Sequence, residues 1–146
     1  EMLYRIEADV EHWARQGGVE TSVVLSDPAI EVVCDMGQLE QVLLNLVRNA
    51  IEALDQMPEG ARAVELSAGL ASSGRMAIRV ADNGPGIDEA DRERLFTPFF
   101  TTKQKGTGLG LAVSRRLIEQ MGGTIEVRTG QYGTEFAVLL RANRTS

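Results

Sequence analysis

The sequence predicts an α+β chain: a two-layer α/β sandwich in which a mixed, mostly antiparallel sheet packs on about three helices. Three observations lead there. Helix-period and strand-period segments interleave along the chain. Two pairs of strand segments are separated by short Gly-bearing turns, which demands antiparallel neighbours. A length of 146 residues, 43% hydrophobic and 25% charged, suits one domain with a buried core.

Residues 1–16 read as a helix, with Leu3, Ile6, Val10 and Trp13 at three- and four-residue spacing, and Gly17–Gly18 ends it. Val19–Leu25 and Ile30–Cys34 are strand segments around the Asp27–Pro28 turn. A long helix is expected from Gly37 to Met57. Its apolar stripe is Leu39, Val42, Leu43, Leu46, Val47, Ala50, Ile51 and Leu54, closed by Pro58–Glu59–Gly60. Ala63–Leu70 and Met76–Ala81 form a hairpin around Ser72–Ser73–Gly74. A Gly- and Pro-bearing stretch runs from Asn83 to Gly108, and Asp88–Thr107 is the segment expected to be flexible. A further helix covers Leu109 to Met121 and stops at Gly122–Gly123. Thr124–Arg128 and Thr134–Leu140 make the last hairpin, around Thr129–Gly133.

Composition removes several classes of function. Cys34 is the only cysteine, so neither an internal disulfide nor a cysteine-built zinc site is expected. No apolar run approaches the roughly 18 residues of a membrane span. Residues 1–11 are acidic and amphipathic, unlike a signal peptide. A formal charge of −6 speaks against nucleic acid as a partner, so an anionic ligand would need a local cradle.

Four groups of residues carry chemistry. On the long helix, Gln38, Asn45, Asn49 and Glu52 share a band of roughly 60° beside the apolar stripe. Amides there need polar partners, and their oxygens suit Mg²⁺; capping a loop or bonding a strand would serve them equally. Asp82 continues the inward parity of Met76, Ile78 and Val80, so its carboxylate is expected toward the core, where it needs a donor. The following Asn83–Gly84–Pro85–Gly86 leaves backbone bare for close approach. A planar ligand with an amino group, such as adenine, fits; a turn-initiating Asp is the plainer alternative.

Residues 103–111 (KQKGTGLGL) place alternating glycines at a helix start, where exposed N–H groups and the helix dipole attract phosphate. Lys103 and Lys105 add countercharge. The spacing matches neither a Rossmann fingerprint nor a Walker loop. Finally, Thr134 shares parity with Phe136, Val138 and Leu140, so its hydroxyl points inward, for a ligand or through simple β propensity.

In order, these pieces resemble the ATP-binding catalytic domain of bacterial sensor histidine kinases, within the Bergerat-fold ATPase superfamily. Residues 41–53 (QVLLNLVRNAIEA) look like the N box, 82–87 (DNGPGI) the first glycine box and 95–103 (LFTPFFTTK) the F box. Residues 106–111 (GTGLGL) look like the second glycine box, and Gly133–Phe136 resembles the final glycine-Thr-Phe element. The wording of the N and F boxes is most similar to the nitrogen-regulation and oxygen-sensor branch. The resemblance covers Asp35 to Leu140. It implies a main domain at 35–141, a tail at 142–146, and a region 1–34 holding the first helix and strands with the end of a connection to a phosphoacceptor domain.

The resemblance also implies roles. Asp82 would accept from the adenine amine, with Thr134 supporting through water and Gly84, Gly86 and Ile87 forming the adjoining loop. Asn49 would be the principal Mg²⁺ ligand, with Asn45 beside it and the phosphates. Gly106, Thr107, Gly108, Leu109, Gly110 and Leu111 would line the triphosphate. Lys103 would reach it from a lid at 88–107 that also carries Thr101 and Thr102, anchored by Phe99 and Phe100. Arg48 would be a further phosphate contact or a surface residue. ATP and Mg²⁺ are the implied ligands.

Water-activating relatives in the superfamily carry a Glu where this chain has Asn45. An amide has no basic pKa near neutrality and cannot deprotonate water, whereas an imidazole nucleophile already offers a lone pair. Asn45 therefore suits phosphotransfer to histidine better than a chaperone-type ATPase, and the resemblance makes Asn45, Asn49 and Lys103 the catalytic set. The remaining alternative is a degenerate regulatory module without transfer. The chain's only histidine, His12, precedes Trp13-Ala14-Arg15-Gln16 and lacks the acidic residue of a phosphoacceptor box. The expected partners are a phosphoacceptor domain of the same full-length protein and a response regulator receiver, in a cytoplasmic setting and a homodimeric full-length protein.

Overall fold

Every residue of the apolar stripe read on the long helix is buried, from Val42 at 0% exposure to Ile51 at 9%. The computed structural model describes residues 12, 15, 18–25, 30–32, 35–55, 57, 58, 60–97 and 110–144. In order these form β1 (Glu20–Leu25), β2 (Ile30–Val32), α1 (Met36–Ala53), β3 (Ala63–Leu70), β4 (Arg75–Asp82), α2 (Glu89–Arg92), α3 (Gly110–Gln120), β5 (Thr124–Gly130) and β6 (Gly133–Arg144). His12 and Arg15 are helical and exposed; the rest of the helix expected over 1–16 lies outside the described residues.

The sheet has six strands in the order β1-β3-β4-β6-β2, with β5 also paired to β6. Only β1 and β3 run parallel. One face of the sheet meets α1 and α3. Val64 and Leu66 of β3, Ile78 and Val80 of β4, and Phe136, Val138 and Leu140 of β6 join the α1 stripe and Ile118 of α3 in one core. Each such side chain contributes about 1.5–3 kcal/mol through the water it sheds. The mixed, mostly antiparallel sandwich expected from the sequence is the observed one.

Several boundaries move. The long helix ends at Ala53 rather than Met57. The helix closes with tightened bonds, Leu54 N–H to the Ile51 carbonyl at 3.1 Å and Asp55 N–H to the Glu52 carbonyl at 3.2 Å. Just past it, Arg62 Nε donates to the Met57 carbonyl at 2.8 Å and Nη2 to the Asp55 carbonyl at 3.0 Å. Backbone acceptors leaving the helix are thus satisfied without another turn. At the other end, Asp35 Oδ1 accepts from the Gln38 N–H at 3.0 Å as an N-cap.

The last hairpin turns through Gln131 and Tyr132 alone, not through 129–133, and Thr129 pairs with Thr134. β6 continues to Arg144, where Ala142, Asn143 and Arg144 pair with β2, so the expected tail at 142–146 is strand over its first three residues. Residues 20–32 likewise join the same sheet as 35–141. Part of the expected flexible segment is built into the core as well: after α2, Leu95 is 8% exposed within the main cluster and Phe96 packs against it.

Candidate functional site

The register of the sheet creates the first half of the site. Asp82 closes β4 opposite Thr134 on β6, so the two residues singled out by parity stand side by side. Asp82 Oδ1 accepts the Gly84 N–H at 2.9 Å and the Thr134 N–H at 3.3 Å. Both donors reach the same oxygen, and among the described residues its second oxygen is left to another donor. Burial pushes the Asp82 carboxyl above its ordinary pKa of 3.8, while the backbone donors of Gly84 and Thr134 pull it the other way. Thr134 is buried, and its Oγ1 lies 3.0 Å from Thr129 Oγ1.

The loop after Asp82 is tied on both sides. Asn83 is tied to the start of β3: its Nδ2 donates to the Ala61 carbonyl at 2.6 Å and its Oδ1 accepts the Ala63 N–H at 2.8 Å. Ile87 donates its N–H to Thr129 Oγ1 at 2.7 Å. Gly86, at φ +83°, lies so close to the hairpin that a side chain would run into the Gly130 carbonyl oxygen. Gly84 approaches the end of α1, where a Cβ would sit 3.4 Å from Leu54 Cδ2.

The second half lies where α1 meets α3. Asn45 donates from Nδ2 to the buried Ser114 Oγ at 3.0 Å, and a Cβ on Gly110 would come within 2.9 Å of Asn45 Oδ1. Glycine at 110 is what lets the start of α3 approach this amide. A groove of about 390 Å³ opens here, lined by Gln41, Leu44, Asn45, Arg48, Gly110, Val113, Ser114 and Leu117. Asn49 is half-buried one turn further along the same flank, and Arg48 is exposed at the groove. Leu111 packs against the core.

The structure therefore joins Asn45, Arg48 and Gly110 in one groove, and Asp82, Gly84, Ile87 and Thr134 in one corner of the sheet. A second depression of about 280 Å³ borders Asp82, Asn83, Glu20 and Glu65. Phe99, Phe100, Thr101, Thr102, Lys103, Gly106, Thr107, Gly108 and Leu109 lie outside the described residues.

Three residues that sequence reading missed shape the site. Thr129 was assigned to a turn; a two-residue turn would have set it opposite Thr134. Ser114 gave no signal beyond one polar residue on a helix flank. Phe96 meets Phe136 edge to face at 6.4 Å, with the Arg115 guanidinium 5.1 Å from its ring centroid. This stack joins the segment leading toward residue 98 to α3 and β6.

Residues 34–144 match the model of the family described as histidine kinase-, DNA gyrase B- and HSP90-like ATPases. The C4-dicarboxylate transport sensor protein DctB of Rhizobium meliloti is 51% identical over 104 residues, 71% of this chain and 16% of that protein. The sensory histidine kinase/phosphatase NtrB of Escherichia coli O157:H7 is 43% identical over 123 residues, 78% of this chain and 35% of that one. The chain thus spans about a sixth to a third of these curated relatives. Among solved structures, the catalytic domain of the histidine kinase ThkA superimposes with a TM-score of 0.82 at 31% identity, covering 96% of this chain and 90% of that domain. ThkA has also been solved in complex with the response regulator protein TrrA.

Proposed function

The chain belongs to the histidine kinase-, DNA gyrase B- and HSP90-like ATPase family, and within it to the histidine-kinase catalytic domains; from that premise we propose that it binds ATP with Mg²⁺ and donates the γ-phosphoryl group to a histidine on a separate phosphoacceptor domain. The observation that carries the reading is the pairing of Asp82 with Thr134 in strand register, next to a loop pressed on the end of α1.

The flank of α1 supports the scale of the ligand. Asn45 and Ala53 are eight residues apart, about 12 Å along the helix axis, the reach of a nucleotide rather than of a small anion. Asp82 accepts from an exocyclic amine at one end. Asn45, Asn49 and Arg48 meet phosphate oxygens and their cation at the other, and Gly110 opens the helix start whose N–H groups receive phosphate.

The amides also fit the metal. Asn45 Nδ2 is engaged by Ser114, so Oδ1 is the atom left for a cation, and Asn49 offers a second amide oxygen. Among the described residues no three His, Cys, Asp or Glu side chains converge. Mg²⁺ would be shared with the phosphates, neutralising the charge that develops on the transferred group.

Asn45 favours transfer over hydrolysis. An amide whose nitrogen is held by Ser114 accepts no proton, so water gains no general base there. A histidine nitrogen needs none, and positioning for in-line attack supplies the catalysis. Lys103 completes the proposed contacts from the lid. The partners proposed are the phosphoacceptor domain and a response regulator receiver, with this domain on the cytoplasmic side of a homodimeric full-length protein, whether or not that protein is anchored in a membrane elsewhere. No described helix is long and apolar enough to cross a membrane.

The test is direct. With radiolabelled ATP, Mg²⁺ and a separately supplied phosphoacceptor domain, label should appear on histidine while phosphate release stays at background. Binding without label would leave a regulatory module. Rapid phosphate release by the isolated chain would indicate a hydrolase.

A further inference from the structure

We propose that Thr129 sets the base preference of the site by fixing the direction in which the Thr134 hydroxyl donates. The inference rests on the nucleotide reading above and adds a residue to it.

Thr129 Oγ1 accepts the Ile87 N–H at 2.7 Å and lies 3.0 Å from Thr134 Oγ1. A hydroxyl has one hydrogen and two lone pairs. An oxygen that already accepts a short N–H bond becomes a better donor, so Thr129 gives its hydrogen to Thr134. Thr134 Oγ1 then acts as acceptor within the pair, and its own hydrogen is left for a group beyond it. Thr134 is 6% exposed as a residue, so bulk water has little access to that hydroxyl and its partner comes from the proposed base site.

The neighbour of this donor is Asp82, which receives the Thr134 N–H at 3.3 Å and stands opposite Thr134 in the sheet. The corner thus presents a carboxylate acceptor beside a hydroxyl donor. The pairing edge of adenine carries an amine donor beside a ring-nitrogen acceptor, which matches directly or through one water. Guanine carries a carbonyl acceptor beside an N–H donor, which opposes both. Without Thr129, the Thr134 hydroxyl can rotate to accept, and the mismatch with guanine is halved. Gly86 belongs to the same device: its Cα region lies so near Thr129 that a Cβ would come within 3.2 Å of Oγ1. The loop is therefore close enough for Ile87 to polarise the chain of hydroxyls.

Thr129 acts through Thr134 and is a positioning residue. Calorimetric titrations with the non-hydrolysable triphosphates AMPPNP and GMPPNP, in Mg²⁺, test it. Wild type should prefer AMPPNP, and Thr129→Val should reduce that preference about tenfold, the worth of one hydrogen bond. Thr129→Ser should restore the preference. Thr134→Val, which removes the terminal donor directly, should match Thr129→Val and serves if the latter folds poorly. A lower melting temperature with an unchanged AMPPNP-to-GMPPNP ratio overturns the proposal while the nucleotide reading stands. If wild type binds neither nucleotide, both fall.

Discussion

The two halves of the proposed site are made from different materials. At the Asp82 end, strand register and backbone N–H groups do the positioning: Asp82, Thr134 and Thr129 sit on β4, β6 and β5. At the Asn45 end, two helix flanks meet and a side-chain bond from Asn45 to Ser114 joins them. A carboxylate held by two backbone donors has few ways to move, which suits recognition of a fixed edge. An amide held by one side chain can adjust, which suits a phosphate chain whose charge changes during reaction. On the proposed reading, the difference separates selection from chemistry along α1.

Substitution at Asp82 should give the largest effect and test the rigid end. Asp82→Asn keeps an oxygen for Gly84 and Thr134 but turns an acceptor into a donor, so AMPPNP affinity should fall about 100-fold by calorimetry. Stability should move the opposite way. Burial raises the folded pKa of Asp82, so the folded state holds the proton that the unfolded chain has already released. The cost grows as pH rises from 3.8 through the raised value and is fully present above it. Asp82→Asn should therefore melt higher than wild type at neutral pH, with the gap closing on acidification. Nucleotide affinity of wild type should weaken over the same acidic range, as the acceptor becomes protonated.

Gly86→Ala should cost about 2–3 kcal/mol in chemical denaturation, from a positive φ and a clash with the Gly130 carbonyl oxygen. Loss of adenine affinity without loss of binding to inorganic triphosphate would sharpen the separation between the ends. At the helical end, Asn45→Ala should cost about 1–2 kcal/mol of stability, because Ser114 Oγ loses its partner while 3% exposed. Its Mg²⁺ dependence of AMPPNP binding should weaken as well. An unchanged Mg²⁺ dependence would remove Asn45 from the metal set. The smallest effect belongs to Arg115→Ala, about 0.5–1 kcal/mol for a cation–π contact at an exposed guanidinium, read as a lower melting temperature.

Periodicity and parity were legible because they are local. The α1 stripe, the hairpin β3–β4 and the inward course of Asp82 and Thr134 all follow from where successive Cβ atoms point on a helix or strand. Boundaries were less legible where a distant side chain intervened, as when Arg62 takes the Asp55 and Met57 carbonyls just past the end of α1.

The sequence by itself determined the layers, the buried face of α1, the acid at the end of β4 and the glycine loop that follows it, because each depends on residues within one or two turns. Tertiary structure alone decided that Thr129 meets Ile87 and Thr134, that Ser114 holds Asn45, and that Arg115 covers Phe96. Those contacts join residues 42, 69 and 19 positions apart, among others, and depend on strand register and helix approach in three dimensions. A hydroxyl's partner is a property of the packed fold, and no spacing along the chain encodes it.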